Sequence, residues 1–229
     1  PLGVIGIALG TALLPKLSAA EAAGQPAEVR NCLSDAISLA GFFVIPAVTG
    51  LVLCGIPIVE GLFVYGAFTV SDSKMTALAL MAYGCGLPGF VLLKILQTAF
   101  YATGQPTVVL KISLCTVAIN LAGSLLLMPI LGHVGLALAT AFSGTVAAAI
   151  MLYLLIRQHR LCASFVPVCA RITLASVIMG AAIIFLQFGL DRFFMVPAAI
   201  TLAIIVGCGG TVYFVIAHVL GALPSSLLR

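Results

Sequence analysis

Residues 112–156 read ISLCTVAINLAGSLLLMPILGHVGLALATAFSGTVAAAIMLYLLI, and this stretch contains no Asp, Glu, Lys or Arg. The hydrocarbon core of a bilayer is about 30 Å thick and takes about 20 apolar residues per helix, so the stretch is long enough for two spans. Pro129, Gly132 and His133 interrupt it near its middle, as is typical of a turn. The stretch therefore predicts two membrane-spanning helices joined by a tight hairpin.

The composition of the whole chain extends this pattern. Charged residues make up 7% of the chain and apolar residues 63%, against about 25% and about 45–50% in soluble domains. Most of the surface is therefore expected to face lipid. At about 30 residues per helix and connection, the 229 residues hold six or seven helices. The fold class predicted is an all-α polytopic membrane protein built as a helical bundle.

Hydropathy divides the chain into one partial span and six complete spans. Residues 1–14 are apolar from the first position, which predicts the end of a truncated transmembrane helix and a chain that begins part-way through it. Residues 15–32 are more polar and predict a cytoplasmic connection. A six-helix transmembrane bundle is predicted over residues 33–229, with spans at 33–55, 75–100, 107–128, 133–156, 169–189 and 194–218.

The positions of Lys and Arg predict the orientation, because these residues are enriched on the cytoplasmic side of membrane proteins. If the 15–32 connection is cytoplasmic, the basic residues on that side are Lys16, Arg30, Lys111, Arg157, Arg160, Arg171 and Arg229, and those on the other side are Lys74 and Arg192. The carboxyl terminus is then cytoplasmic. The net charge of +4 reflects topology, and no nucleic-acid-binding patch is predicted.

Catalytic signatures are missing from the sequence. It contains no HExxH, no GxSxG and no glycine-rich phosphate loop ending in Lys-Ser or Lys-Thr. Its seven cysteines form no CxxC pair. We therefore expect a transporter and not an enzyme, with no catalytic residue, no cofactor and no metal site.

Lys94 is a charged residue inside the predicted span 75–100. Charged residues at such positions usually face the interior of the bundle or an aqueous cavity. Gln97 and Tyr101 follow on the same helical face. This face is a candidate substrate cavity, in which Lys94 would meet an anionic ligand. Alternatively, Lys94 lies about 10 Å from the helix end, and its side chain reaches the membrane interface by snorkelling.

A polar stripe runs along the predicted span 107–128 and consists of Ser113, Thr116, Asn120 and Ser124. It should face protein or water and not lipid. Asn120 is the third candidate cavity residue, because its amide needs partners in the middle of the membrane. Alternatively, it makes a structural hydrogen bond to another helix. Small residues at four-residue spacing in the next span predict close helix packing: Gly135, Ala139, Ser143 and Ala147.

Internal prolines predict bends in two of the spans. Pro46 and Pro88 each remove a backbone hydrogen bond from their helix. Glycines at positions 84, 86 and 89 surround Pro88. The bent helices either line a cavity and flex during transport or are bent only because of how they pack.

Four motifs together resemble a known family: PLGVIGIALGT at residues 1–11, LLPKLS at 13–18, LFVYGAFT at 62–69 and KILQTAFYATGQPTVVLKIS at 94–113. In combination they are similar to the carboxyl-terminal half of the MurJ (MviN) family of lipid II flippases. This family belongs to the multidrug/oligosaccharidyl-lipid/polysaccharide exporter superfamily.

The resemblance implies a two-lobed exporter of fourteen helices in the bacterial inner membrane, of which this chain would supply the end of helix 8 and helices 9 to 14. Such proteins move the undecaprenyl-pyrophosphate-linked peptidoglycan precursor from the inner to the outer leaflet by alternating access. The implied partners are lipid II, membrane lipids and the amino-terminal lobe. The family's essential cavity arginines lie mainly in that lobe, so none is transferred to a residue of this chain.

The resemblance also implies a hydrophobic groove for the polyprenyl tail between the last two helices, here residues 171–188 and 194–218. Two other functions stay open on the sequence alone. The chain could belong to a multidrug or polysaccharide-lipid exporter of the same superfamily, because cargo is set mainly by the other lobe. It could also be a non-transporting membrane remnant or scaffold.

Overall fold

The computed structural model describes residues 2–63, 70–161, 165–193 and 198–223. The expectations for Arg229, for residues 64–69 of the LFVYGAFT motif and for the start of the span 194–218 lie outside these ranges. Within them the chain forms eight α-helices: α1 (Leu2–Ala22), α2 (Pro26–Leu53), α3 (Gly55–Phe63), α4 (Val70–Ala102), α5 (Pro106–Leu131), α6 (His133–Arg157), α7 (Val166–Phe193) and α8 (Ala198–Val219).

Six of the helical segments are long and apolar enough to cross a bilayer: Pro26–Leu53, Asp72–Ala102, Pro106–Leu131, His133–Arg157, Val166–Gly189 and Thr201–Val219. They correspond one to one to the six spans predicted from hydropathy. The all-α polytopic fold is therefore confirmed, and the chain is a multi-pass membrane protein.

The predicted connection at residues 15–32 is wrong in extent. The first helix does not stop at residue 14 but continues to Ala22, and α2 begins at Pro26, so only residues 23–25 separate them. The polar residues of this stretch lie at the ends of α1 and α2, outside the apolar segments that hydropathy detects. The Ala-rich end of α1 favours helix. Gly24 reverses the chain with a φ of +64°, and the Gln25 N–H donates to the carbonyl of Ala20 at 3.0 Å.

The connection between the predicted spans 33–55 and 75–100 contains the short helix α3, and α4 begins earlier than expected, at Val70. Two further connections are tight turns: the one between the predicted spans 75–100 and 107–128, and the predicted hairpin between 107–128 and 133–156. Gly104, with a φ of +70°, precedes Pro106 at the start of α5. Gly132, with a φ of +57°, is the single residue between α5 and α6. A positive φ favours glycine at both turns, and the predicted hairpin is confirmed.

The α2 helix joins two hydrophobic clusters. In the first, Leu33 of α2 packs with buried side chains of α1, α4 and α6, among them Leu17, Ile95 and Met151. In the second, Phe42 of α2 packs with α7 and α8, whose buried residues include Ile172, Met179, Ile205 and Tyr213. The pair α7–α8 is thus attached to the rest of the bundle mainly through the second half of α2.

The α4 and α6 helices approach each other more closely than side chains normally allow. A Cβ atom at Gly86 would lie 2.7 Å from the Cα of Ala141, and one at Gly89 would lie 2.8 Å from the Cα of Thr145. The glycines near Pro88 therefore serve close packing. The predicted small-residue stripe of α6 packs on its other neighbour, α5, where a Cβ at Gly123 would lie 3.2 Å from the Cβ of Ala139.

Candidate functional site

An apolar groove of about 350 Å³ opens between α2–α3 on one side and α7–α8 on the other. Pro46 and Cys54 line it from α2 and the residue that follows it, Met179 and Ile183 from α7, and Tyr213 from α8. It lies at the α7–α8 pair that the resemblance indicated, but α2 and α3 supply the other wall. The surface it presents suits an extended hydrocarbon chain, which needs apolar contact along its length.

Four aromatic rings form one end of this groove. The ring of Phe42 lies 5.3 Å from that of Phe43, 5.4 Å from that of Tyr213 and 5.9 Å from that of Phe214, measured between centroids. Three of the four ring contacts within the cluster are edge-to-face, a geometry that aromatic pairs favour. The cluster holds α8 against α2 at the position where α2 contains Pro46.

Two side chains of α7 and α8 bond directly to the backbone of α2. The Tyr213 hydroxyl donates to the carbonyl of Phe42 at 2.6 Å. The Gln187 Nε2 donates to the carbonyl of Leu53 at 3.3 Å. The two bonds fix α2 near each end of the groove.

A second groove, of about 330 Å³, lies between α1 and α4. Lys94, Gln97 and Tyr101 line it from α4, and Gly10 and Thr11 line it from α1. The three α4 side chains therefore share one face, as their spacing predicted. The Lys94 side chain is exposed, so its ammonium is accessible from the groove.

Asn120 lies in a different part of the bundle, between α5 and α6. Its Nδ2 donates to Oγ1 of Thr140 at 3.0 Å and to Oγ of Ser143 at 3.3 Å. Of the two interpretations offered by the sequence, these bonds favour the interhelical one. Lys94 and Gln97 therefore line one groove, whereas Asn120 lies elsewhere and is hydrogen-bonded to α6.

Polar side chains join three connections at one end of the bundle. Arg160 pairs with Glu21, and Nη1 lies 2.7 and 2.8 Å from the two carboxylate oxygens. Arg30 Nη1 donates to the carbonyl of His159 at 3.5 Å. The Gln158 amide donates to the Gln105 amide oxygen at 3.3 Å. The predicted inner-side cations Arg30 and Arg160 therefore lie at the same end of the lobe.

Comparison with protein-family models matches residues 1–207 of the chain to the family described as Lipid II flippase MurJ. The chain belongs to the MurJ family. The predicted resemblance is thereby confirmed, and the family is one of transporters and not of enzymes.

Individual MurJ relatives agree with this assignment. A probable lipid II flippase MurJ of Rhizobium tropici is 30% identical over 236 residues, which cover 100% of this chain and 44% of the relative. A second, of Rickettsia prowazekii, is 33% identical over 185 residues, which cover 80% of this chain and 36% of the relative. The chain thus spans less than half the length of these MurJ relatives.

A solved structure shares the fold of the whole chain. It is described as lipid II flippase MurJ in an inward closed conformation and superimposes with a TM-score of 0.75 at 25% identity. The match covers 100% of this chain and 45% of that structure. The packing of the eight helices is therefore a MurJ packing, and both grooves lie within it.

Tyr213 and Gln187 are candidate site residues of this MurJ chain that sequence reasoning missed. Each is a polar side chain within an apolar helix, which is the signal that could have identified it. Hydropathy is a mean over many residues, so a single polar residue within an apolar helix hardly changes it. Their common acceptor helix, α2, is more than 130 residues distant in sequence, so only the folded structure pairs them with it.

Proposed function

We propose that this chain forms the carboxyl-terminal lobe of a lipid II flippase of the bacterial inner membrane. With an amino-terminal lobe, it moves the polyprenyl-pyrophosphate-linked peptidoglycan precursor from the inner to the outer leaflet by alternating access. Membership of the MurJ family and the shared fold support this function.

The observation that carries the proposal is the apolar groove between α2–α3 and α7–α8. Its volume of about 350 Å³ is at the lower end of the range for small-molecule pockets, about 300–1,000 Å³. It therefore takes part of a long prenyl chain and leaves the remainder in lipid. Such partial burial suits a carrier, because a chain that is fully enclosed would be slow to leave.

Lys94 and Gln97 are proposed to bind the polar part of the same substrate in the α1–α4 groove. A lysine ammonium is a common ligand for phosphate groups. The Gln97 amide donates to an oxygen of the same group. Asn120, whose amide is bonded to α6, contributes by holding α5 in place.

We further propose that the end of the bundle carrying Arg30 and Arg160 is cytoplasmic, as is the carboxyl terminus. This orientation places the excess of Lys and Arg on the cytoplasmic side. Cations at this end then lie near anionic lipid headgroups, and the attraction of each cation to the membrane surface is about 1 kcal/mol.

A pair of glycine variants tests the function. Gly210 lines the groove, and a Cβ at this position has open space around it. Gly207 lies on the same helix, is exposed and also has open space around its Cβ position. Both are changed to leucine in the intact protein, which is expressed in cells depleted of their own flippase.

The expected result is that the wild type and Gly207→Leu support growth and that Gly210→Leu, which fills the groove, does not. A failure of the wild type to support growth would favour a drug or polysaccharide cargo or a non-transporting role. Equal growth with both variants would show that transport does not need the groove.

A further inference from the structure

The contact between Tyr213 and Phe42 has a cause in the sequence of α2. In an α-helix, the carbonyl of residue 42 normally accepts the N–H of residue 46. Pro46 has no N–H, and it lies inside α2. Proline at this position therefore leaves the Phe42 carbonyl without its intrahelical donor.

The Tyr213 hydroxyl supplies the missing donor from a different helix. It lies 2.6 Å from the Phe42 carbonyl oxygen, which is a short and well-formed bond for O–H···O. Tyr213 is buried, so water does not compete for either group. A carbonyl freed by proline within a membrane helix needs such a partner, because lipid offers none.

Both groups belong to the wall of the apolar groove. Pro46, Phe42 and Tyr213 all line it, and the Phe42 and Tyr213 rings are in contact. The proline position of α2 and the position of α8 are therefore linked at one point, and that point borders the groove.

We propose that Tyr213 is a positioning residue that replaces the hydrogen bond deleted by Pro46 and so sets the width of the groove. The bond holds the wall formed by α8 against the turn of α2 that contains Pro46. When it breaks, α8 separates from α2 and the groove widens. What fills the groove rests on the proposed function, whereas the link between Tyr213 and Pro46 does not.

Cys54 provides a reporter for the width of the groove. It lines the groove and is a buried free thiol. The rate at which N-ethylmaleimide, a membrane-permeant reagent, alkylates Cys54 in the intact protein therefore reports how often the groove is open. Peptide mass spectrometry separates this thiol from the other cysteines.

The test compares Tyr213→Phe in two backgrounds. Tyr213→Phe keeps the ring and removes the hydroxyl, and the cost of an unpaired buried acceptor predicts roughly 5-fold to 100-fold faster alkylation of Cys54. In a Pro46→Ala background the Phe42 carbonyl regains its intrahelical donor, so Tyr213→Phe should leave the rate unchanged. Tyr153→Phe makes the same chemical change at an exposed tyrosine and should not alter the alkylation rate of Cys54 in either background.

An equal acceleration by Tyr213→Phe in both backgrounds would overturn the proposal, and so would the absence of any acceleration in the wild-type background. Addition of undecaprenyl phosphate tests the occupant separately. Protection of Cys54 from alkylation is expected. A lack of protection, with the dependence on Pro46 intact, would contradict the proposed occupant of the groove and leave the role of Tyr213 standing.

Discussion

Asn120 of α5 donates hydrogen bonds to the hydroxyls of Thr140 and Ser143, one turn apart on α6, at 3.0 and 3.3 Å. A single amide thus joins two helices through both of its N–H groups. The remaining face of α5 is apolar and exposed, with Leu114, Leu121 and others facing outward. The attachment of α5 to the bundle therefore depends on this polar contact, on small-residue packing and, near the start of the helix, on Val109 and Ile112, which are buried in the first hydrophobic cluster.

Asn120→Ala should lower the stability of the protein without abolishing transport. Interhelical hydrogen bonds in membranes contribute about 0.6 kcal/mol on average and up to about 1.7 kcal/mol, and the loss should fall in this range when measured by reversible unfolding in detergent. Thr116→Ala is the matched control, because the Thr116 hydroxyl donates within α5, to the carbonyl of Ile112 at 2.7 Å. A loss of transport at unchanged stability would instead make Asn120 a ligand of the substrate.

Lys94→Gln should reduce lipid II transport by roughly 10-fold to 100-fold, because a hydrogen bond to a charged group is worth about 1.5–3 kcal/mol. Lys94→Arg retains the charge and should retain most of the activity. Lys111→Gln, at an exposed position near the start of α5, is the control for loss of a cation. Transport is measured in vesicles that contain the intact protein. Unchanged transport in both Lys94→Gln and Gln97→Ala would mean that the Lys94 side chain snorkels to the membrane interface and does not bind the substrate.

Gly86→Ala should destabilise the lobe by about 1–3 kcal/mol, which is typical of an overpacked core. The added methyl would lie 2.7 Å from the backbone of Ala141, and backbone atoms have little freedom to move. Gly207→Ala is the control and should stabilise α8 slightly, because its Cβ meets open space and glycine within a helix is unfavourable by about 0.5–1 kcal/mol. Thermal unfolding of the two variants gives the comparison. Equal midpoints would contradict the close contact of α4 with α6.

Neutralising Glu21 should have only a small effect on stability. The side chains of Arg160 and Glu21 are 30% and 33% exposed, and ion pairs of this kind contribute about 0–1 kcal/mol. Glu21→Gln should therefore lower the free energy of unfolding by less than about 1 kcal/mol at low salt, and by less still at high salt because salt screens the pair. A loss of several kcal/mol that salt does not change would mean that this pair is buried in the intact protein.

The number of membrane-spanning helices could be predicted from the sequence because lipid imposes a length and an apolar composition on each span, whereas the short helix α3 could not be predicted in this way. The tight turns at Gly104 and Gly132 were also predictable, since each joins two long apolar stretches at a residue suited to a positive φ. The extent of α1 was not, because hydropathy detects contact with lipid and not helical structure. Residues 15–22 are helical, but Lys16, Ser18 and Glu21 lower the hydropathy of this segment, and only the helix propensity of its alanines indicates a helix.

The candidate site was predictable only where its residues lie on a single helix. Lys94, Gln97 and Tyr101 share one face because they lie on one helix, and their spacing determines that. The bonds of Tyr213 to α2 and of Asn120 to α6 depend on how helices pack. Side-chain contacts between helices that are distant in sequence cannot be read from the periodicity of either helix.

Photo-crosslinking in the intact protein tests the central claim most directly, with a lipid II analogue that carries a photoreactive group in its prenyl chain. If the groove binds the chain, label should appear on the peptides of α2, α7 and α8 that line it and should be lost in Gly210→Leu but not in Gly207→Leu. Labelling confined to the outward-facing side of α5, or equal labelling in both variants, would contradict the account.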